Sequence, residues 1–104
     1  MIKFGFNSTQ LEPIARDLEA LLKIRFKLHE SDYCGGDYYR AEVASGLICL
    51  QKNYDLIDEE PFETEWPNGY AILYLDGLDD QEWESFVKRF QAAAQQIGAT
   101  YLGE

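Results

Sequence analysis

Basic residues are scarce in this chain of 104: nine Lys and Arg stand against nineteen Asp and Glu, a formal net charge of −10. A surface of that sign repels phosphate backbones and anionic lipid headgroups at long range, which argues against direct binding of nucleic acid or membranes. Cysteine is sparse too. Cys34 and Cys49 match no metal-ligand spacing and read as reduced thiols rather than a disulfide framework. No run approaches the roughly 18 apolar residues of a membrane span. Met1 to Phe6 has no basic stretch leading into an apolar core and cleavage site, so the chain reads as cytosolic. What remains is ample for folding: 46% hydrophobic and 27% charged residues are globular proportions, and the length suits one domain over residues 1–104.

The hydrophobic periods divide the chain into elements. Ile2, Phe4 and Phe6 alternate as in a strand, whereas Leu11, Ile14, Ala15, Leu18, Leu21 and Leu22 share one helical stripe. Thr9 and Glu12 have capping-box spacing, with Pro13 in the first turn. Ile24, Phe26 and Leu28 return to period two and predict a second strand with Arg25, Lys27 and His29 on its solvated face. After a turn at Gly35-Gly36, residues 37–43 and 47–52 predict two strands joined at Ser45-Gly46, and residues 53–69 predict a long loop containing Pro61, Pro67 and Asn68-Gly69. Tyr70 to Leu75 is an uninterrupted apolar run, as in a central strand. A second capping box, Asp79 with Glu82, opens a helix carrying Trp83, Phe86, Val87, Phe90, Ala93, Ala94 and Ile97 until Gly98, before a short strand over 99–102. The expected fold is α+β: strand, helix, four strands, helix, strand, with two helices on one face of a mainly antiparallel sheet. Phe86 and Phe90 should pack on the central strand through one of its two alternating sets, Ile72 with Tyr74 or Leu73 with Leu75, and the leucine set is favoured because it carries no hydroxyl.

Charge is unevenly distributed. Residues 1–52 carry equal numbers of acids and bases, whereas residues 53–87 hold eleven acids and no Lys or Arg. Within that third, Asp55, Asp58, Glu59, Glu60, Glu63 and Glu65 share a loop with Tyr54, Phe62 and Trp66. Carboxylates steer a basic partner inward and aromatic anchors hold it, so Tyr54 to Trp66 is the candidate partner-binding segment, with Tyr33, Asp37 and Tyr39 as further candidates. The plainer reading is a solvated acidic loop serving solubility.

Other chemistry finds less support. Asp55-x-x-Asp58-Glu59-Glu60 lacks the alternating ligands, central Gly and distal Glu of a calcium loop, and no metal or cofactor is expected. Gly35-Gly36 has neither phosphate-loop spacing. Tyr33, Tyr38 and Tyr39 could stack on bases, but only Arg25, Lys27 and Arg40 supply cations nearby; Tyr38 and Tyr39 must also face opposite sides of a strand. A small hydrolase built on His29, Cys34 and the acidic loop is the alternative enzyme reading, and an acidic regulatory adaptor a third. No nucleophile motif surrounds Cys34, so no catalysis is expected.

The run His29-Glu30-Ser31-Asp32-Tyr33-Cys34-Gly35-Gly36-Asp37-Tyr38-Tyr39, the loop ending Glu65-Trp66-Pro67 and the strand from Tyr70 to Asp76 together resemble bacterial immunity proteins of contact-dependent growth inhibition and related polymorphic-toxin systems. The resemblance spans roughly residues 29–77 and implies a cytosolic inhibitor, without catalysis of its own, of one cognate basic toxin domain, often a nuclease. Barstar is similar in its charge logic alone.

Overall fold

The computed structural model describes residues 1–43, 46–77 and 79–103. Six strands form one sheet: β1 (Ile2–Phe6), β2 (Lys27–Ser31), β3 (Gly36–Val43), β4 (Gly46–Lys52), β5 (Ala71–Asp76) and β6 (Ala99–Gly103). Their spatial order is β2-β3-β4-β5-β1-β6, and every neighbouring pair is antiparallel. Helix α1 (Leu11–Leu22) carries the chain from β1 to the far edge at β2; α2 (Asp80–Ile97) carries it from β5 past β1 to β6. This is the α+β architecture expected from the periods, with a fully antiparallel sheet.

The apolar stripes explain how the layers meet. Ile2, Phe4 and Phe6 of β1, Ile48 and Leu50 of β4, and Leu73 and Leu75 of β5 form one core with Leu18 of α1 and Phe86 and Phe90 of α2. Phe90 is fully buried, its ring centroid 4.3 Å from that of Phe4. Thus Leu73 and Leu75 do supply the set that meets the second helix. Val87 and Ile97 pack at its margin, while the side chains of Trp83, Ala93 and Ala94 lie outside the described set. Asp79 Oδ1 accepts from Glu82 N at 2.9 Å, Asp79 N donates to Glu82 Oε2 at 3.4 Å, and Gly98, at φ +72°, ends the helix.

Local expectations fail where tertiary contacts intervene. Gln10, not Thr9, holds the N-cap position of α1 without a side-chain bond, and Ser8 Oγ instead accepts from Gln10 N at 3.0 Å. Leu21 falls at the edge of the stripe and is 39% exposed. The second strand begins at Lys27, because Phe26 N donates at 2.9 Å to Glu19 Oε2 and so ties this segment to α1. Phe26 is buried, but Leu28 lies on an edge strand and is 61% exposed. Of the turn expected at Ser45-Gly46, Ser45 lies outside the described residues.

Candidate functional site

The face of the sheet opposite the helices carries Lys3 and Gly5 of β1, Cys49 and Gln51 of β4, and Ile72 and Tyr74 of β5, by register with their core-facing neighbours. The connection from β4 to β5 folds back over part of it. Asn53, fully buried, organises that connection. Its Nδ2 donates to the carbonyls of Glu63 (2.9 Å), Trp66 (2.8 Å) and Pro67 (3.2 Å), and its Oδ1 accepts from Glu63 N at 2.8 Å. Its backbone bonds Tyr70 O and Gly69 N. One side chain thereby supplies the partners that a sheet would otherwise give to the loop backbone. Sequence reasoning missed it: an Asn at the edge of a polar stretch looks like any turn residue.

Trp66 fixes the loop to the strands. A Cβ on Gly5 would collide with Trp66 Cε2 and lie 2.6 Å from its Cδ2, so the indole rests where only a glycine fits. Ile72, opposite Gly5 in register, is fully buried on this side. Trp66 is therefore a clamp rather than a projecting anchor. Its indole N–H is buried and has no acceptor among the described residues.

The acidic candidates fall into two groups. Asp55 Oδ1 accepts from Ile57 N (2.8 Å) and Asp58 N (3.2 Å), and its backbone bonds Glu60 O and Glu59 N, closing a turn on itself. Glu63 pairs with Lys3 at 2.6 Å, and Glu65 lies 3.8 Å from the same ammonium. The hydrogen bond to Glu63 raises the Lys3 pKa. These three acids hold structure, whereas Asp58, Glu59 and Glu60 are exposed at the tip and make no ion pair among the described residues. Glu59 sits at φ +56°, a left-handed position for a non-glycine residue.

Around that tip the surface is apolar as well as acidic. Leu56 and Ile57 are 43% and 52% exposed, and Tyr33, on a one-turn 3-10 helix at Asp32–Cys34, is 78% exposed. The β2–β3 turn and the loop adjoin. A Cβ on Gly36 would lie 3.6 Å from Leu56 Cδ1, and one on Gly35 would lie 3.0 Å from the carbonyls of Lys52 and Tyr54. Beside them a concavity of about 580 Å³ is walled by Tyr33, Leu47, Cys49, Phe62 and Tyr74, with Asp76 among its polar residues. Tyr54 is half-buried and Asp37 exposed. Tyr39 does not join this surface. Strand alternation turns it into the helix-side core, edge-on to Phe26 at 6.3 Å, and sends Tyr38 outward against His29.

The thiols and the phenol beside this surface are held toward their neutral forms. Burial pushes the Cys34 and Cys49 thiols up, opposite to the shift that makes a nucleophilic thiolate. Burial, with the charges of Glu63 and Glu65, raises the Tyr74 phenol far above its ordinary value, leaving it a hydrogen-bond donor. His29 stacks on Tyr38 at 5.5 Å and makes no hydrogen bond to Cys34 among the described residues. Among those residues no group of three or more His, Cys, Asp or Glu could hold a metal, and no helix is long and apolar enough to cross a membrane. Comparison with protein-family models, curated proteins and solved structures finds no match to this chain.

Proposed function

We propose that this protein is a cytosolic bacterial immunity protein that binds and neutralises a cognate basic toxin domain, a nuclease, without catalysis of its own. The observation that carries the reading is the tip of the β4–β5 loop. There Leu56 and Ile57 stand exposed beside Asp58, Glu59 and Glu60, on a turn held by Asp55, with Leu56 against the Gly35-Gly36 turn that follows Tyr33. Exposed aliphatic and aromatic side chains cost solvation and are tolerated where a partner covers them; the adjoining carboxylates give that partner a sign. A loop kept for solubility alone has no use for the apolar half of this patch.

The test is to read the gene directly upstream for a secreted protein with a basic C-terminal domain, and to co-express that domain with this chain. Protection from growth arrest and co-purification in a defined ratio are expected, and both should be lost in the double variant Leu56→Ser, Ile57→Ser. Absence of protection by the wild-type chain would remove the reading.

A further inference from the structure

The same open face has a second charged feature at its other end, with the opposite sign. Arg25, just before β2, Lys27 and His29 of β2, and Arg40 of β3 wall a concavity of about 350 Å³, together with Ala41 and Glu42. Lys27 and Arg40 are register partners, and His29 lies beside them opposite Tyr38, so these side chains rise from one side of adjacent strands. None of Arg25, Lys27 and Arg40 makes an ion pair among the described residues, in a protein with ten more acids than bases. Acids are close by, and Arg25 acts on Glu19 at longer range, but none bridges these cations among the described residues. Glu19 is engaged by Arg16 at 2.6 Å and by Phe26 N, and Glu42 stands in the wall without a bridge.

Like charges placed opposite one another across a sheet repel, and an arrangement needed only for folding would pair them with some of the nineteen acids. The geometry points to an oxyanion site: this concavity binds a small phosphate-bearing ligand. Three neighbouring cations call for more than one negative charge, which a single carboxylate does not carry and a phosphate monoester does. Guanidinium groups offer paired donors that match phosphate oxygens, and the histidine adds a ring donor. The size suits a phosphate with a small organic group, being at the lower end of ordinary ligand pockets. An extended polyanion is disfavoured by the acidic remainder of the surface. This site is independent of the proposed toxin partner.

The test uses the isolated, isotopically labelled protein titrated at physiological salt with inorganic phosphate, with glycerol phosphate as an ester, and with an oligoglutamate peptide. Saturable shifts centred on residues 25–29 and 38–42 are expected for phosphate and its ester, with Kd of about 1 mM or tighter. Lys27→Gln and Arg40→Gln should each weaken binding about tenfold, as loss of a charge-assisted bond implies, while Glu42→Gln strengthens it. Lys88→Gln, on the exposed face of α2, should change nothing. The unliganded melting temperature separates binding from folding: removing one of several repelling cations should leave it unchanged or raise it. Non-saturating shifts spread over all basic residues, binding unaffected by Lys27→Gln and Arg40→Gln, or saturation by oligoglutamate but not phosphate would each overturn the assignment.

Discussion

On the helix side of the sheet, Phe4, Ile48, Leu50, Leu73 and Leu75 meet Leu18, Phe86 and Phe90 in a single apolar layer. On the other side the same strands present Lys3, Cys49, Gln51 and Tyr74, and their cover is a loop hung from Asn53 and clamped by Trp66. The first face is held by burial, which is non-directional and shared among many side chains. The second is held by a few directional bonds and one close fit. Cover of that kind is partial. It leaves an acidic, apolar tip at one place and a cationic concavity at another, and surfaces that meet partners are of this sort.

The largest expected effect breaks the first face. Phe90→Ala removes a fully buried ring in contact with Phe4 and should cost about 3–5 kcal/mol in denaturant unfolding. A loss below about 1 kcal/mol would mean that α2 does not close the core. For the second face, Asn53→Ala strips partners from three carbonyls and one N–H and should cost about 2–3 kcal/mol, less than the sum of four lost bonds because water can reach a loop that loosens. Exchange protection should fall across residues 63–70 before it falls in the strands.

Gly5→Ala is the sharper probe of that cover. The new methyl collides with the indole, at a cost of about 1–2 kcal/mol. In Trp66→Ala the same methyl has nothing to strike, so the double variant should be more stable than the two single losses predict. Strict additivity would show that Trp66 does not lie on Gly5.

These two faces were not equally legible in sequence. Periods of two and 3.6 mark β1, α1, β5 and α2 because one-sided burial imposes them, and the Asp79–Glu82 box is read locally from two residues. The start of β2 does not follow its period because Glu19 and the core hold Phe26 from a distance, and only the register tells Tyr39 from Tyr38. Asn53 joined to Pro67 and Leu56 near Gly36 are contacts between segments that share no period. The candidate acids were found by composition, but composition could not say that Asp55 and Glu63 are engaged while Asp58, Glu59 and Glu60 are free of ion pairs among the described residues.

A smaller effect separates the faces by pH. The backbone N–H of Phe26, and then Arg16, lower the Glu19 pKa. Its folded value lies below its unfolded value, so its contribution is complete above the ordinary value of 4.5 and is lost as pH falls through the lowered folded value. Glu19→Gln should therefore flatten the acid limb of the stability profile without changing its slope near neutrality. On the open face the sign reverses. Lys3 is raised by Glu63, so its contribution is present below 10.5 and fades as pH rises through the raised value. Lys3→Met should flatten the alkaline limb alone.

The smallest effect on folding should accompany the largest on association. Replacing Asp58, Glu59 and Glu60 by Asn and Gln touches exposed groups without ion pairs among the described residues, so stability should move by no more than about 0.5 kcal/mol. Glu59 invites a control: at its left-handed φ, Glu59→Gly alone should be neutral or slightly stabilising, which keeps backbone strain apart from charge. Long-range attraction acts on the approach of a basic partner, so the triple variant should slow association and reduce its dependence on salt while leaving dissociation nearly unchanged. Removing the apolar half with Leu56→Ser and Ile57→Ser should do the reverse and speed dissociation. Stopped-flow rates at two salt concentrations distinguish these outcomes. If the triple variant altered dissociation and not association, its carboxylates would be buried contacts rather than steering charges, and the tip would enter the partner instead of meeting its rim.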